Sequence, residues 1–136
     1  MATVTDVQAG SAAAMDYDGG LTLAMQTTSL DRAIDWYQSV LGFTLLYRMD
    51  DIAWCELASP VGRVNLGFSQ VEAVTPGGGA VPTWGVRDIV AAKAALDGRC
   101  VRFDGDIVEY PGMVKLLTFF DTDDNALMLY QDLGGA

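Results

Sequence analysis

Two kinds of apolar pattern alternate along the chain from residue 21 onward, and the alternation is written twice. "LTLAMQT" (21–27) reads as a strand, and "SLDRAIDWYQSVLGF" (29–43) as a helix. In the helix Leu30, Ala33, Ile34, Tyr37, Val40 and Leu41 recur at three- and four-residue spacing. Ser29 is placed to cap its start and Gly42 to stop it. Three strand-like runs follow, "FTLLYRM", "IAWCELA" and "RVNLGFS", separated by the turn signals "DD" and "SPVG". After the Gly/Pro-rich "VEAVTPGGGA" the order repeats. "VPTWGV" is a strand, Asp88 caps a helix with Ile89, Ala92 and Leu96 on one face, and "RCVRFDG", "VKLLTFF" and "ALMLYQD" are strands. "EYPGM" has Pro then Gly in type II turn order, and "DTDDN" turns the last hairpin.

This is an α+β pattern: two βαβββ modules, each with a helix to cover one face of its sheet. Set side by side, they are expected to form an open curved sheet around a cup. The expected organisation is an N-terminal extension at 1–20, a first module at 21–70, a linker at 71–80, a second module at 81–132 and a tail at 133–136.

Composition narrows the chemistry. The 136 residues are 51% hydrophobic, enough for a core, and no apolar run approaches the roughly 20 residues of a membrane helix. The start lacks the basic and apolar regions of a signal peptide, so a cytoplasmic protein is expected, with Met15 a candidate alternative start. The net charge of −10, with eight basic residues, argues against nucleic acid and anionic membranes. Cys55 and Cys100 lie in apolar strand-like runs without metal-type spacing and are expected to be buried reduced thiols. The chain has no histidine. Serine–histidine and cysteine–histidine catalysis and imidazole-ligated metals are therefore excluded within one chain.

Three passages resemble the vicinal oxygen chelate superfamily, which includes glyoxalase I, extradiol dioxygenases, fosfomycin-resistance proteins and bleomycin-resistance proteins. They are "SLDRAIDWYQSVLGF", "GVRDIVAAKAAL" and "FFDTDDNALMLYQ", and the resemblance covers about residues 21–132. It implies paired βαβββ modules around a cup, and often a homodimer. It also implies metal-ligand positions at the starts of the two modules' first strands, on the third strand of module one and on the final strand. Thr22, Val81, Glu56 and Met128 fall there. Threonine, valine and methionine do not replace the charged or imidazole ligands that such a site needs, so neither a metal nor another cofactor is expected.

The acidic turn has part of a calcium loop's pattern, because Asp121, Asp123, Asn125 and Asp132 match EF-hand positions. Ala126 stands where that loop needs glycine and strand residues fill its second half, so a solvent-facing hairpin turn is expected. If the four ligand positions face the cup, strand alternation brings Ala24, Gln26, Trp54, Thr83, Ala126 and Tyr130 in with them. The expected ligand-binding residues are thus Thr22, Gln26, Trp54, Glu56, Thr83, Met128 and Tyr130, with Met113 closing over the cup from its loop. Glu56, among apolar neighbours, is a candidate acid or base with a raised pKa. Lys115 is a candidate for holding a carboxylate, Trp84 is assigned to helix packing, Tyr37 to the core, and Trp36 to a partner chain.

Four functions remain open. The first is a metal-free binder of a small, largely apolar or aromatic molecule, such as an antibiotic or metabolite. The second is a metal-independent isomerase or lyase using Glu56. The third, a metal-dependent glyoxalase or dioxygenase, needs ligands that are missing here. The fourth is a structural dimer with an empty cup.

Overall fold

The computed structural model describes residues 16–77 and 79–134. Most of the expected N-terminal extension, including Met15, lies outside them, as do the last two residues of the expected tail. The first half of the chain forms β1 (Leu21–Thr27), α1 (Leu30–Leu41), β2 (Thr44–Met49), β3 (Trp54–Ala58) and β4 (Val64–Gln70). The second forms β5 (Thr83–Gly85), α2 (Ile89–Asp97), β6 (Arg102–Phe103), β7 (Val108–Tyr110), β8 (Val114–Phe120) and β9 (Ala126–Asp132). One sheet runs β1-β4-β3-β2 and the other β5-β9-β8-β6, with β7 also on β8. In each, the first strand lies parallel to the last and the other pairings are antiparallel.

The two halves share a frame in detail. Ser29 and Asp88 cap their helices with side-chain oxygens that accept from the backbone N–H three residues on. The first free N–H of each helix is taken by a glutamine from the last strand of its own half. Leu30 N donates to Gln70 Oε1 at 2.9 Å, and Ile89 N to Gln131 Oε1 at 2.8 Å. Gly42, at φ 74°, ends α1, its N–H bonded to Gln38 O and that of Phe43 to Tyr37 O. The strand expected over "RCVRFDG" (99–105) shrinks to β6, bounded on either side by positive φ at Cys100 and Gly105, and β7 is a further short strand that takes in the first two residues of the expected "EYPGM" turn. Cys100 is correspondingly exposed rather than buried; Cys55 is buried as expected.

One core spans both sheets. α1 contributes Leu30, Ala33 and Tyr37, and β3 and β4 contribute Cys55, Leu57, Leu66 and Phe68. Ile89, Leu117, Phe119 and Leu127 come from the second half. Tyr37 stacks on Phe68 with ring centroids 4.8 Å apart, and Phe43 meets Trp84 edge-on at 5.5 Å. Trp84 therefore packs inward, as its phase implied.

The sheets are joined by the acidic turn, which was expected to face solvent but turns Asp121 and Asp123 inward and leaves only Thr122 and Asp124 exposed. Asp121 is 3% exposed. It accepts from Asn125 N, Asn125 Nδ2 and Asp123 N within the turn, and from the Tyr37 hydroxyl at 2.7 Å. Asp123 accepts from Thr27 Oγ1 at 2.5 Å, Thr28 N at 2.9 Å, Thr28 Oγ1 at 2.6 Å and Arg32 Nη2 at 3.0 Å. Asn125 Nδ2 also reaches the carbonyl of Gln26, on the outer edge of β1. Burial of its phenol, and then the Asp121 charge, push Tyr37 well above the ordinary tyrosine range and keep it a donor. Desolvation alone would raise Asp123, but the threonine hydrogen bonds and Arg32 outweigh it and leave the carboxyl below the ordinary aspartate value.

Asp123→Ala is therefore expected to cost about 2 kcal/mol in urea denaturation, because it leaves the buried Thr27 hydroxyl without this acceptor and removes the bonds from Thr28 and Arg32. Asp106, 96% exposed and 3.8 Å from Lys93, is the control. Its alanine variant is expected to change stability by less than about 0.5 kcal/mol. Equal effects would refute the clamp. Since folding lowers the Asp123 pKa, its contribution is complete above the ordinary aspartate range and is lost as pH falls through the folded value. The stability of Asp123→Asn is thus expected to fall less between about pH 4 and pH 2 than that of the unaltered protein.

Candidate functional site

Each sheet turns one face to its helix and leaves the other open. In β3, Cys55 and Leu57 point into the core, so Trp54 and Glu56 stand on the open face. Register carries that face across the sheet. Glu56 lies opposite Gly67 on β4 and Tyr47 on β2, and Gly67 opposite Ala24 on β1. Thr22 lies opposite Asn65, and Gln26 opposite Ser69.

Glu56 is the hub of a hydrogen-bond network on this face. Its Oε2 accepts from Thr22 Oγ1 and Asn65 Nδ2, both at 3.0 Å, and its Oε1 from the Tyr47 hydroxyl at 2.8 Å. Trp54 Nε1 in turn donates to the Tyr47 oxygen at 3.2 Å. The indole lies flat across β4 because residue 67 is glycine. A Cβ there would fall 2.1 Å from Trp54 Cη2 and Cζ2. Partial desolvation raises the Glu56 pKa, but the bonds from Asn65, Tyr47 and Thr22 outweigh it and hold the carboxyl below the ordinary glutamate value. This reverses the expectation of a raised-pKa group among apolar neighbours: Glu56 is an ionised acceptor surrounded by donors.

The second open face has a different chemistry. Thr83 lies opposite Met128 and Met128 opposite Thr118, while Gly85, Tyr130, Leu116 and Val108 form the next row. The Tyr130 ring covers Gly85, where a Cβ would sit 2.8 Å from the phenol oxygen. Tyr130 thus repeats, on the second sheet, the aromatic-over-glycine arrangement of Trp54. Met113 follows Gly112 in the tight turn after β7 and is 67% exposed. Lys115 alternates with Leu117 and Phe119 and so belongs to the helix-facing side of β8, away from the open face.

The expected lining residues are thus distributed rather than gathered. Thr22, Trp54 and Glu56 are joined on the first open face. Thr83, Met128 and Tyr130 are joined on the second. Gln26 lines a cavity of about 270 Å³ between β1 and the linker, shared with Val81, Pro82 and Ala126. Thr83 and Tyr130 border another of about 310 Å³, lined also by Leu21 and Val61. Neither cavity contains Trp54 or Glu56, which lie on open sheet. Tyr47, Asn65 and Gly67 were missed. Asn65, Gly67 and Ser69 alternate visibly in "RVNLGFS", but Tyr47 is hidden by a bulge: Leu45 pairs Leu57 and Tyr47 pairs Glu56, leaving Leu46 extra. Among the described residues no three His, Cys, Asp or Glu side chains converge as a metal-binding group, and no helix is long and apolar enough to cross a membrane.

A family model described as the Glyoxalase/Bleomycin resistance protein/Dioxygenase superfamily matches residues 21–129. Comparison with curated protein sequences gives no match. Among solved structures, a member of that superfamily from Sphaerobacter thermophilus DSM 20745 is similar with a TM-score of 0.74 and 20% identity, covering 85% of this chain and 98% of the other. TnmS3, an antibiotic binding protein from Streptomyces sp. CB03234, gives 0.71 and 23%, covering 87% and 98%. TioX from Micromonospora sp. ML1 gives 0.66 and 18%, covering 85% and 99%. At these identities the likeness concerns the fold.

Gly67→Ala is expected to expel the indole from β4 and break its bond to Tyr47. The measurable results are a displaced Trp54 indole N–H resonance and a stability loss of about 1–3 kcal/mol. An unmoved resonance would contradict the packing described.

Proposed function

The chain belongs to the glyoxalase/bleomycin resistance protein/dioxygenase superfamily, and from that premise we propose that it binds a small, largely apolar or aromatic molecule without a metal. The observation that carries this reading is the half-buried Trp54 indole, laid across Gly67 beside the Glu56 network on the open face of the sheet. A flat apolar ring next to a few fixed polar groups suits a planar ligand oriented by hydrogen bonds. The antibiotic-binding description of the similar TnmS3 structure supports the same reading.

A homodimer completes the site in this proposal. Tyr47 and Met49 on the first open face, and Val108, Tyr110 and Tyr130 on the second, are large and exposed. A second copy would turn an open platform into an enclosed one and cover that surface. The chain acts in the cytoplasm, with Cys55 and Cys100 as thiols. Catalysis by Glu56 is the weaker reading, because a carboxyl held below its ordinary pKa is a poor base at neutral pH.

A thermal-shift and calorimetric screen over aromatic antibiotics and metabolites tests the proposal. At least one ligand is expected to stabilise the protein, and Trp54→Ala is expected to weaken it at least tenfold, the size of one lost stacking contact. A blank screen, or binding indifferent to Trp54, removes the reading. Elemental analysis after purification without chelator is expected to find no stoichiometric metal; one tightly held transition metal per chain would overturn that part. Sedimentation is expected to give twice the chain mass.

A further inference from the structure

We infer that Glu56 is the receptor for a positively charged nitrogen on the ligand, a protonated amine or quaternary ammonium carried by an aromatic body. The inference rests on the binding reading above and names its ligand class.

The argument begins with an uncompensated charge. The ion pairs among the described residues use Arg32, Arg48, Arg63, Lys93 and Arg102, and none reaches Glu56. Arg48 is near in sequence but lies opposite Cys55, on the other face of the sheet, and pairs with Asp31 and Asp50. Arg99 bonds the carbonyl of Ser39 at the end of α1, Lys115 is on the helix side of β8, and Arg87, between β5 and α2 in the other half, makes no ion pair with Glu56. A carboxylate kept ionised by neutral donors, in a chain of net charge −10, has its counter-charge still to come.

The remaining acceptor capacity defines what that counter-charge is. A carboxylate offers about four lone-pair directions. Thr22 and Asn65 occupy Oε2, and Tyr47 takes one direction on Oε1. One acceptor direction on Oε1 has no hydrogen bond of good geometry; the Trp54 indole N–H, bonded to Tyr47, is near enough to help hold the carboxyl pKa down but leaves that direction to the ligand. That is too little for a divalent ion, which gathers several oxygen ligands. It is enough for one N⁺–H, or for a quaternary nitrogen seated by charge alone, and both are attracted to aromatic faces. The Trp54 Nε1–Tyr47–Glu56 relay fixes the direction of every proton in the chain, so the negative end of the relay is the one presented to the ligand.

The experiment uses three probes with one ring system: 2-naphthylmethylammonium, 2-naphthalenemethanol and 2-naphthoate. Affinities are measured by equilibrium dialysis against the full chain at about 0.15 M salt, where the field of distant carboxylates is largely screened. The ammonium is expected to bind about tenfold tighter than the alcohol, and the carboxylate weakest, from one charge-assisted bond with a cation–π contact. In Glu56→Gln the ammonium-to-alcohol ratio is expected to fall to about one; in Asp106→Asn, far out in solvent, it is expected to persist. Far-ultraviolet dichroism and thermal melting check that both variants fold. Equal affinity for the three probes overturns the inference and leaves the binding reading standing; that is also the result if a basic side chain of a second copy already fills the position. A preference that survives Glu56→Gln overturns it too. Failure of all three probes to bind overturns it as well, and the Trp54 screen then decides separately whether the platform binds anything.

Discussion

The bond between the Tyr37 hydroxyl and Asp121 holds the architecture together. Tyr37 is the aromatic centre of the first half, packed against Phe43 and Phe68 with no surface left exposed. A phenol buried that deeply must find an acceptor inside the protein. The acceptor comes from the other half, on a turn whose own backbone N–H groups converge on the same carboxylate. Asp121 thus shapes the β8–β9 turn and anchors it to α1 in one arrangement. Asp123 adds a second anchor at the end of β1, where Thr27 and Thr28 lead into the helix. Without these contacts the two sheets share apolar surface but have little to fix their relative placement.

With that placement fixed, the helix-facing sides of the sheets are committed to the core and the other sides are free to diverge. The repeat is conservative where it builds the frame: cap, glutamine brace and parallel outer strand recur in both halves. It is not conservative on the open faces. The row Ala24, Gly67, Glu56 in the first half corresponds to Thr83, Met128, Thr118 in the second. By that correspondence the partner of Met128 is Gly67, not Glu56. One face is polar with a single negative hub, the other uncharged in these rows, with threonines among aliphatic and aromatic side chains, and each has one ring lying over one glycine.

Much of the frame was legible in the residues. Helical spacing from Leu30 to Leu41, the Ser29 and Asp88 caps, and the Pro–Gly turn before β8 all sit where local chemistry placed them. What escaped was long-range. The acidic turn looked solvated because polarity alone does not reveal that Thr27, Thr28, Arg32 and Tyr37 wait nearly a hundred residues earlier. Glu56 looked apolar in context because its sequence neighbours, Cys55 and Leu57, point to the opposite face. Its true neighbours, Tyr47 and Asn65, come from adjacent strands, and a bulge put Tyr47 out of phase with any alternating count. The late start of β6 follows from positive φ at Cys100, which no composition rule assigns to cysteine.

The bulge at Leu46 has a consequence of its own. β2 is an outermost strand of its sheet, and there the regular pairing with β3 slips by one residue. A bulged strand bends and overtwists, so its free amides no longer line up as a template for another chain's backbone. Lateral growth into extended ribbons is thereby discouraged at this border, and contact with other molecules is directed to side chains on the broad surfaces rather than to bare peptide groups.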